Sequence, residues 1–345
     1  MKRFGGSLEF IVLLYFLSYL PSIVVTRLVT TTGDFRDGRP LTGLETLPAS
    51  LIVSLILTYA FIWMSGWYRD ANRKQVGSWN IPWPTRYTFL SGIGTALVLF
   101  TVPLSLTFEG VSIPFIQLLM RGDILVIAPV VDLLFGRRVR WWSWVALVLV
   151  AASLLFVIQQ RGGLGLPPLA IATIVLYTLG YFIRLAVMTR VSKSGDPAAV
   201  RRYFVEEKVV AIPLSIVALA LLSVTGIGSQ AGELSWGFVD VWTSAAAPYV
   251  IFIGVMLTII SVFAAIILLD ARENSYCVPL ERSASLLAGI GAAFILAEYW
   301  GQRPPTGPEL IGAAILVAVI VLLSIAPRMD RKRAAAEIEA RAETA

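Results

Sequence analysis

Long apolar runs separated by short polar stretches dominate this chain. A hydrocarbon core needs about 20 consecutive apolar residues per helix. On that basis the pattern predicts ten spans: 7–29, 47–68, 87–107, 112–135, 141–160, 168–189, 207–225, 247–269, 276–297 and 308–327. The expected class is therefore an all-α polytopic membrane protein. The first run follows Lys2 and Arg3 as a signal peptide does, but it reaches Val29 without a small-residue cleavage site and reads as a retained helix. Residues 328–345 alternate charge with alanine and read as a charged cytoplasmic tail.

Two of these spans echo one another. Pro114 and Pro279 each open an apolar run that carries charge, Gly136 and Gly301 close them, and Arg138 and Arg303 follow; each pair is 165 positions apart. Gln117, Arg121 and Asp123 interrupt the first run, Glu281 and Arg282 the second. A charge inside membrane-grade sequence costs about 2.5–3.5 kcal/mol on insertion scales. A chain that carries this cost at related places in both halves is expected to use it, and paired interrupted segments point to a transporter's binding site. Ten spans divide into five in residues 1–160 and five in 161–327. Because five is odd, the second set enters from the opposite side. The expectation is ten transmembrane helices in two inverted five-helix repeats.

Charge distribution adds an orientation. Of 28 Lys and Arg, 19 fall on the N-terminus, the even-numbered loops and the C-terminus, and 5 on the odd-numbered loops when Arg27 is counted with the first of these. Arg121, Arg184, Lys208 and Arg282 lie within spans. The positive-inside rule then places both termini in the cytoplasm of a cell with this protein in its inner membrane. The same asymmetry accounts for most of the net charge of +6 without a nucleic-acid partner. Only 14% of residues are charged, against about 25% in soluble chains, and the mean hydropathy is +0.79. With no His and the single Cys277, no disulfide framework, metal site or cofactor is expected. No GxxxxGK[ST] loop appears, so any transport draws on a gradient or on exchange.

The ends of the two repeats carry a resemblance. Ala297 and Glu298, then Gly301, then the run Glu309-Leu310-Ile311-Gly312-Ala313-Ala314-Ile315-Leu316 are similar to the acidic residue, polar turn, glycine and apolar last helix of the drug/metabolite transporter superfamily. Within it the chain resembles the EamA-like permeases and their nucleotide-sugar-transporter relatives. The first copy departs from that pattern: Asp132 stands one residue off register, and Ala146 occupies the place of Gly312. The resemblance implies ten helices, two inverted repeats and alternating access. It also implies a central cavity lined by the first, third, fourth, sixth, eighth and ninth spans.

Several polar residues are candidates for that cavity. At about 100° per residue, Gln117, Arg121 and Asp132 share one face of the fourth span, with Asp123 turned away. Arg121 reads either as a fixed cation for a substrate anion or as half of an internal ion pair. Asp123 reads as a coupling carboxylate or as the partner of Arg121, Arg184 or Arg282. Glu281 and Arg282 are neighbours near one end of their span and suit a gate as well as a binding site. Tyr177, Tyr181 and Arg184 follow at helical spacing and suit a planar or sugar-bearing solute, unless Arg184 snorkels to the headgroups. Tyr15, Ser18, Tyr19, Ser22 and Thr26 form a polar stripe that must face protein or a wet cavity.

Other features read as structural. Glu206, Glu207 and Lys208 open the seventh span as ordinary interfacial charge, and Ser285, Gly289 and Ala293 form a packing stripe. Leu234, Phe238, Val241 and Trp242 suit a short helix lying in the interface. The expected activity is secondary transport of a small polar metabolite, anionic or zwitterionic, because in-span cations outnumber the mid-membrane carboxylates Asp123 and Glu281. A lipid or lipid-linked-sugar carrier and a drug or cation exporter are the alternatives. An enzyme is not expected, since the nearby acids Asp34 and Asp37 sit in a solvated loop. The expected partners are a small-molecule substrate and the lipid bilayer, with a homodimer left open.

Overall fold

The computed structural model describes residues 8–106, 108, 111–120, 122, 127, 141–160, 163, 165–191, 196–226, 230–269, 274–319, 321–322, 325–326 and 329. Among these, seven helices are long and apolar enough to cross a membrane. They are α1 (Leu8–Thr31), α2 (Gly43–Met64), α3 (Arg86–Ser105), α6 (Pro168–Val191), α7 (Pro197–Thr225), α9 (Ala247–Leu268) and α10 (Asn274–Trp300). Helix α4 begins at 113 and is described through 120. Helices α5 (Trp141–Gln160) and α11 (Gly307–Val319) follow the two candidate charged spans. The protein is thus a helical, membrane-embedded bundle.

Local chemistry sets the helix starts. Thr42 and Glu45 form a reciprocal capping box at α2, and Thr85 and Thr88 form one at α3. Helix α7 starts ten residues before the predicted 207, because Asp196 accepts a hydrogen bond from the Ala198 amide at 2.9 Å and Pro197 sits at the first helical position. This overturns the reading of Glu206, Glu207 and Lys208 as interfacial charge. They lie well inside the helix and are 1%, 0% and 1% exposed.

Glu206 ties the bundle to the link between α2 and α3. That link is a hairpin of β1 (Arg73–Val76) and β2 (Trp79–Pro82), with Arg73 opposite Pro82. The Glu206 carboxylate accepts from the Asn72 amide at 3.1 Å, the Thr85 amide at 3.3 Å and the Thr88 hydroxyl at 2.7 Å. It therefore satisfies orphan donors at the start of α3. At the other end of the bundle, Glu45 is gripped by Arg36 and Arg39. The hydrogen bond to Glu45 holds the Arg39 guanidinium above its ordinary range.

The short helix α8 (Gln230–Phe238) buries Leu234 against its neighbours, and the turn after it buries Val241 while leaving Trp242 exposed. The spacing predicted a single short helix with Leu234, Phe238, Val241 and Trp242 on one face; the helix instead ends at Phe238, and Val241 and Trp242 stand in a separate turn. Thr42 donates to Glu233 of α8 at 2.6 Å, which joins the loop before α2 to the loop after α7.

Helix α3 packs along α6 and α7, α1 along α9 and α10, and α2 along α7, α8 and α9. Two close approaches show why glycine is needed. A Cβ on Gly94 would lie 2.6 Å from the Gly180 carbonyl, and a Cβ on Gly180 equally close to the Gly94 carbonyl, so α3 and α6 touch backbone to backbone. A Cβ on Gly254 of α9 would lie 2.7 Å from the Ser50 carbonyl of α2. Small residues permit this spacing in lipid, where dispersion and hydrogen bonds carry helix association.

Candidate functional site

Six helices, α1, α3, α6, α7, α9 and α10, enclose a cavity with about 790 Å³ of space unfilled by atoms, its mouth included. One end is charged and the walls away from it are apolar. The charged end gathers Tyr15, Tyr181, Arg184, Lys208, Glu281 and Arg282. Tyr15 and Glu281 lie about two turns from the N-terminal ends of α1 and α10, and Arg184 about two turns from the C-terminal end of α6.

Two ion pairs organise this layer. Arg184 Nε lies 2.8 Å from Glu207 Oε1 and joins α6 to α7. The same oxygen accepts from Thr95 of α3 at 2.6 Å and from Tyr203 at 3.1 Å. Tyr203 and Ser91 are themselves hydroxyl to hydroxyl at 2.5 Å. The second pair is Arg282 and Glu281, 3.0 Å apart on adjacent residues of α10. Buried charges are tolerated when paired and hydrogen-bonded. Arg184 donates directly to Glu207, whereas in the second pair hydrogen bonds run to the tyrosines on either side.

Two tyrosine pairs flank α10. Tyr15 and Tyr19 of α1 have ring centroids 5.3 Å apart and tilted 51°; Tyr177 and Tyr181 of α6 are also 5.3 Å apart, tilted 45°. Tyr15 donates to Glu281 Oε1 at 2.5 Å. Arg282 Nη1 donates to the Tyr177 hydroxyl at 2.7 Å, and its guanidinium carbon lies 3.9 Å from the centroid of the Tyr181 ring. That distance suits a desolvated cation–π contact. Helix α10 is thereby fastened to α1 through its carboxylate and to α6 through its guanidinium.

The predicted residues divide into three groups. Tyr15, Tyr19, Tyr181, Arg184, Glu281 and Arg282 line the cavity, while Tyr177 stands behind that layer and holds Arg282. Gln117 is buried on α4, where its Cγ would lie 3.2 Å from a Cβ added at Gly289, and it does not line the cavity. Arg121 and Asp123 lie outside the described residues, as does Asp132. Ser22 and Thr26 of the polar stripe reach the cavity and Ser18 bonds its own helix instead. Arg184 does not snorkel: it is 5% exposed and turned inward to Glu207.

Five further residues belong to the layer: Ser91, Thr95 and Tyr203, which the sequence pattern does not single out, and Glu207 and Lys208, which it presents as interfacial charge. Asp196-Pro197 was the available signal, since a cap and a first-turn proline place Glu207 three turns into a helix. Arg27 was counted with a loop but belongs to α1, where it donates to the carbonyls of Leu106, Phe108 and Val111 at 2.8, 3.0 and 3.1 Å. Among the described residues, no group of His, Cys, Asp and Glu gathers as a metal site.

No family model and no curated protein matches this chain. A solved structure described only as "Crystal structure of protein" is similar to it, with 15% identity and a TM-score of 0.58. The match covers 94% of this chain and 98% of the other. The likeness is one of fold, and it extends over nearly the whole of both chains.

Proposed function

We propose that this protein is a secondary transporter of a small polar metabolite, anionic or zwitterionic, working by alternating access as a carrier and not as an enzyme. The observation that carries the reading is a cavity inside a membrane-embedded bundle whose far end is a layer of buried, side-chain-paired charge. Such intramembrane ionisable groups mark substrate or ion pathways. Donors outnumber acceptors there, with Arg184, Lys208 and Arg282 against Glu207 and Glu281 among the described residues, which favours a ligand with an anionic group.

The pairing of helices supports ten spans in two inverted repeats of the drug/metabolite transporter type. Exchange α1 with α6, α2 with α7, α3 with α9, α4 with α10 and α5 with α11, leaving α8 as an inserted element. The contact of α3 with α6 then becomes that of α9 with α1, and α3 with α7 becomes α9 with α2. The contact of α2 with α7 maps onto itself. The two tyrosine pairs stand on α1 and α6, the first helices of the two sets. In this reading the charged layer lies toward the cytoplasm of an inner membrane, with both termini on that side.

Purified protein in proteoliposomes tests the proposal. Uptake of labelled organic acids, amino acids and organic cations is measured under an imposed proton gradient and with unlabelled solute inside. Saturable, protein-dependent flux of an acid or amino acid is expected. Flux confined to cations refutes the substrate class, and flux of no solute refutes the carrier.

A further inference from the structure

Lys208 differs from the other buried cations. Arg184 has its hydrogen bond to Glu207 at 2.8 Å, and Arg282 has its bond to Tyr177 at 2.7 Å. The Lys208 ammonium lies 3.8 Å from Glu207 Oε2, beyond hydrogen-bond reach, and 5.7 Å from the Phe204 ring. Yet the residue is 1% exposed, and it lines the cavity. An ammonium is a donor three times over and accepts nothing, so a buried one without a hydrogen bond is costly. Glu207 relieves that cost only in part: its Oε1 is engaged by Arg184, Thr95 and Tyr203, and its Oε2 attracts the ammonium across 3.8 Å without a hydrogen bond.

The geometry points to Lys208 as the anchor for the anionic head of the transported solute, which we infer is a small organic acid with one anionic group and a largely apolar body. The inference rests on the carrier reading and narrows its substrate class. Among the described residues, a single anionic head is what the layer lacks: each carboxylate of the layer already faces a guanidinium, Glu207 that of Arg184 and Glu281 that of Arg282. A ligand ammonium would have to displace one of these. An apolar body is what the walls accept, since Val98 and Val102 of α3 and Ile253, Leu257 and Ile260 of α9 line the space away from the charge. The hydroxyls of Ser22, Thr26 and Ser261 leave room for a few polar substituents.

A matched set of probes tests this: hexanoate, hexanamide, L-norleucine and hexylammonium, which share an aliphatic body and differ in charge. Thermal unfolding of the protein in lipid nanodiscs is followed against the concentration of each. Hexanoate is expected to stabilise the wild type, and the other three to do so weakly or not at all. Lys208→Gln is expected to weaken hexanoate binding by about ten- to a hundredfold, the size of one hydrogen bond to a charged group. Lys208→Arg, which keeps the charge, is expected to retain it. Lys208→Met without ligand is expected to melt at or above the wild type, whereas a structural counter-ion of Glu207 would make that variant melt well below.

Absent hexanoate stabilisation, equal stabilisation by L-norleucine or hexanamide, undiminished stabilisation of Lys208→Gln, or a markedly lower melting point for Lys208→Met overturns the assignment. The carrier reading fails separately. Lys208-dependent hexanoate binding without proteoliposome flux of any solute leaves an anion site that is not a transport site. Flux of other solutes without hexanoate binding leaves the carrier and removes this substrate class.

Discussion

Arg184 of α6 and Glu207 of α7 meet at 2.8 Å with their side chains 6% and 0% exposed, a lock between two membrane-spanning helices made inside the bundle. Removing one partner strands the other charge in a low dielectric. Glu207→Gln is therefore expected to cost about 3–5 kcal/mol, the usual loss on breaking a buried pair. Adding Arg184→Met to that variant removes the stranded guanidinium and is expected to recover a good part of the loss. Apparent melting temperatures of the single and double variants measure both effects. A double variant no more stable than Glu207→Gln would show that the pair is not coupled.

That lock also shows what sequence reading reaches. Tyr15, Tyr19, Tyr181, Arg184, Glu281 and Arg282 were legible because each is a polar residue in an otherwise apolar run, the tyrosines and Arg184 at helical spacing and Glu281 beside Arg282. Glu207 and Lys208 were not, because hydropathy places a span where polar residues stop, while α7 begins at its Asp196 cap and carries a polar segment, Arg201 to Lys208, inside the helix. The Glu206 and Glu207 carboxylates can be buried because their partners stand on the α2–α3 link, on α3 and on α6, and pairing is a tertiary fact that no window along the chain reports. Ser91 and Thr95 were invisible for a related reason: a hydroxyl in a span bonds its own helix by default, and only the position of Glu207 gives these two another acceptor.

The two tyrosines that fasten α10 are expected to behave alike. Tyr15→Phe removes the donor to Glu281, and Tyr177→Phe removes the acceptor for Arg282 Nη1. Each change keeps the ring and its volume and deletes one hydrogen bond to a charged group, worth about 1.5–3 kcal/mol. Melting temperature in nanodiscs is expected to fall in both, and any measured flux to change in both, because α10 loses the Glu281 hydrogen bond to α1 in one variant and the Arg282 hydrogen bond to Tyr177 of α6 in the other. Wild-type stability and flux in Tyr15→Phe would mean that Glu281 takes its orientation from elsewhere.

Arg27 caps the far end of α3. Its guanidinium reaches the carbonyls of Leu106, Phe108 and Val111, which a planar fork can do and a point-like ammonium cannot. Arg27→Lys keeps the charge, loses most of these contacts, and is expected to destabilise by on the order of 3 kcal/mol. The first turn of α4, which starts just after Val111, should then exchange its amide hydrogens faster. Hydrogen exchange read by mass spectrometry over residues 113–120 gives the answer, and unchanged protection there would remove Arg27 from the role of cap.

Membrane orientation is the last expectation, and the loop contacts make it sharp. Asp70, before the hairpin, pairs with Arg201 of α7 at 2.5 Å, and Glu206 accepts from Asn72 and Thr85. The link between α2 and α3 and the start of α7 therefore share one face of the bundle. Thr42 donates to Glu233, so the link between α1 and α2 and the link carrying α8 share the opposite face. Basic residues crowd the first face, where Arg69, Arg73, Lys74, Arg86, Arg201 and Arg202 lie, and the positive-inside rule assigns it to the cytoplasm. With Cys277, the chain's one cysteine, changed to serine, a new cysteine can be placed at the exposed positions Asp34 and Ser78. An impermeant maleimide added to intact cells is expected to label Asp34→Cys, and to label Ser78→Cys only after permeabilisation. The reverse pattern would turn the molecule over, and with it the side from which the charged layer meets its solute.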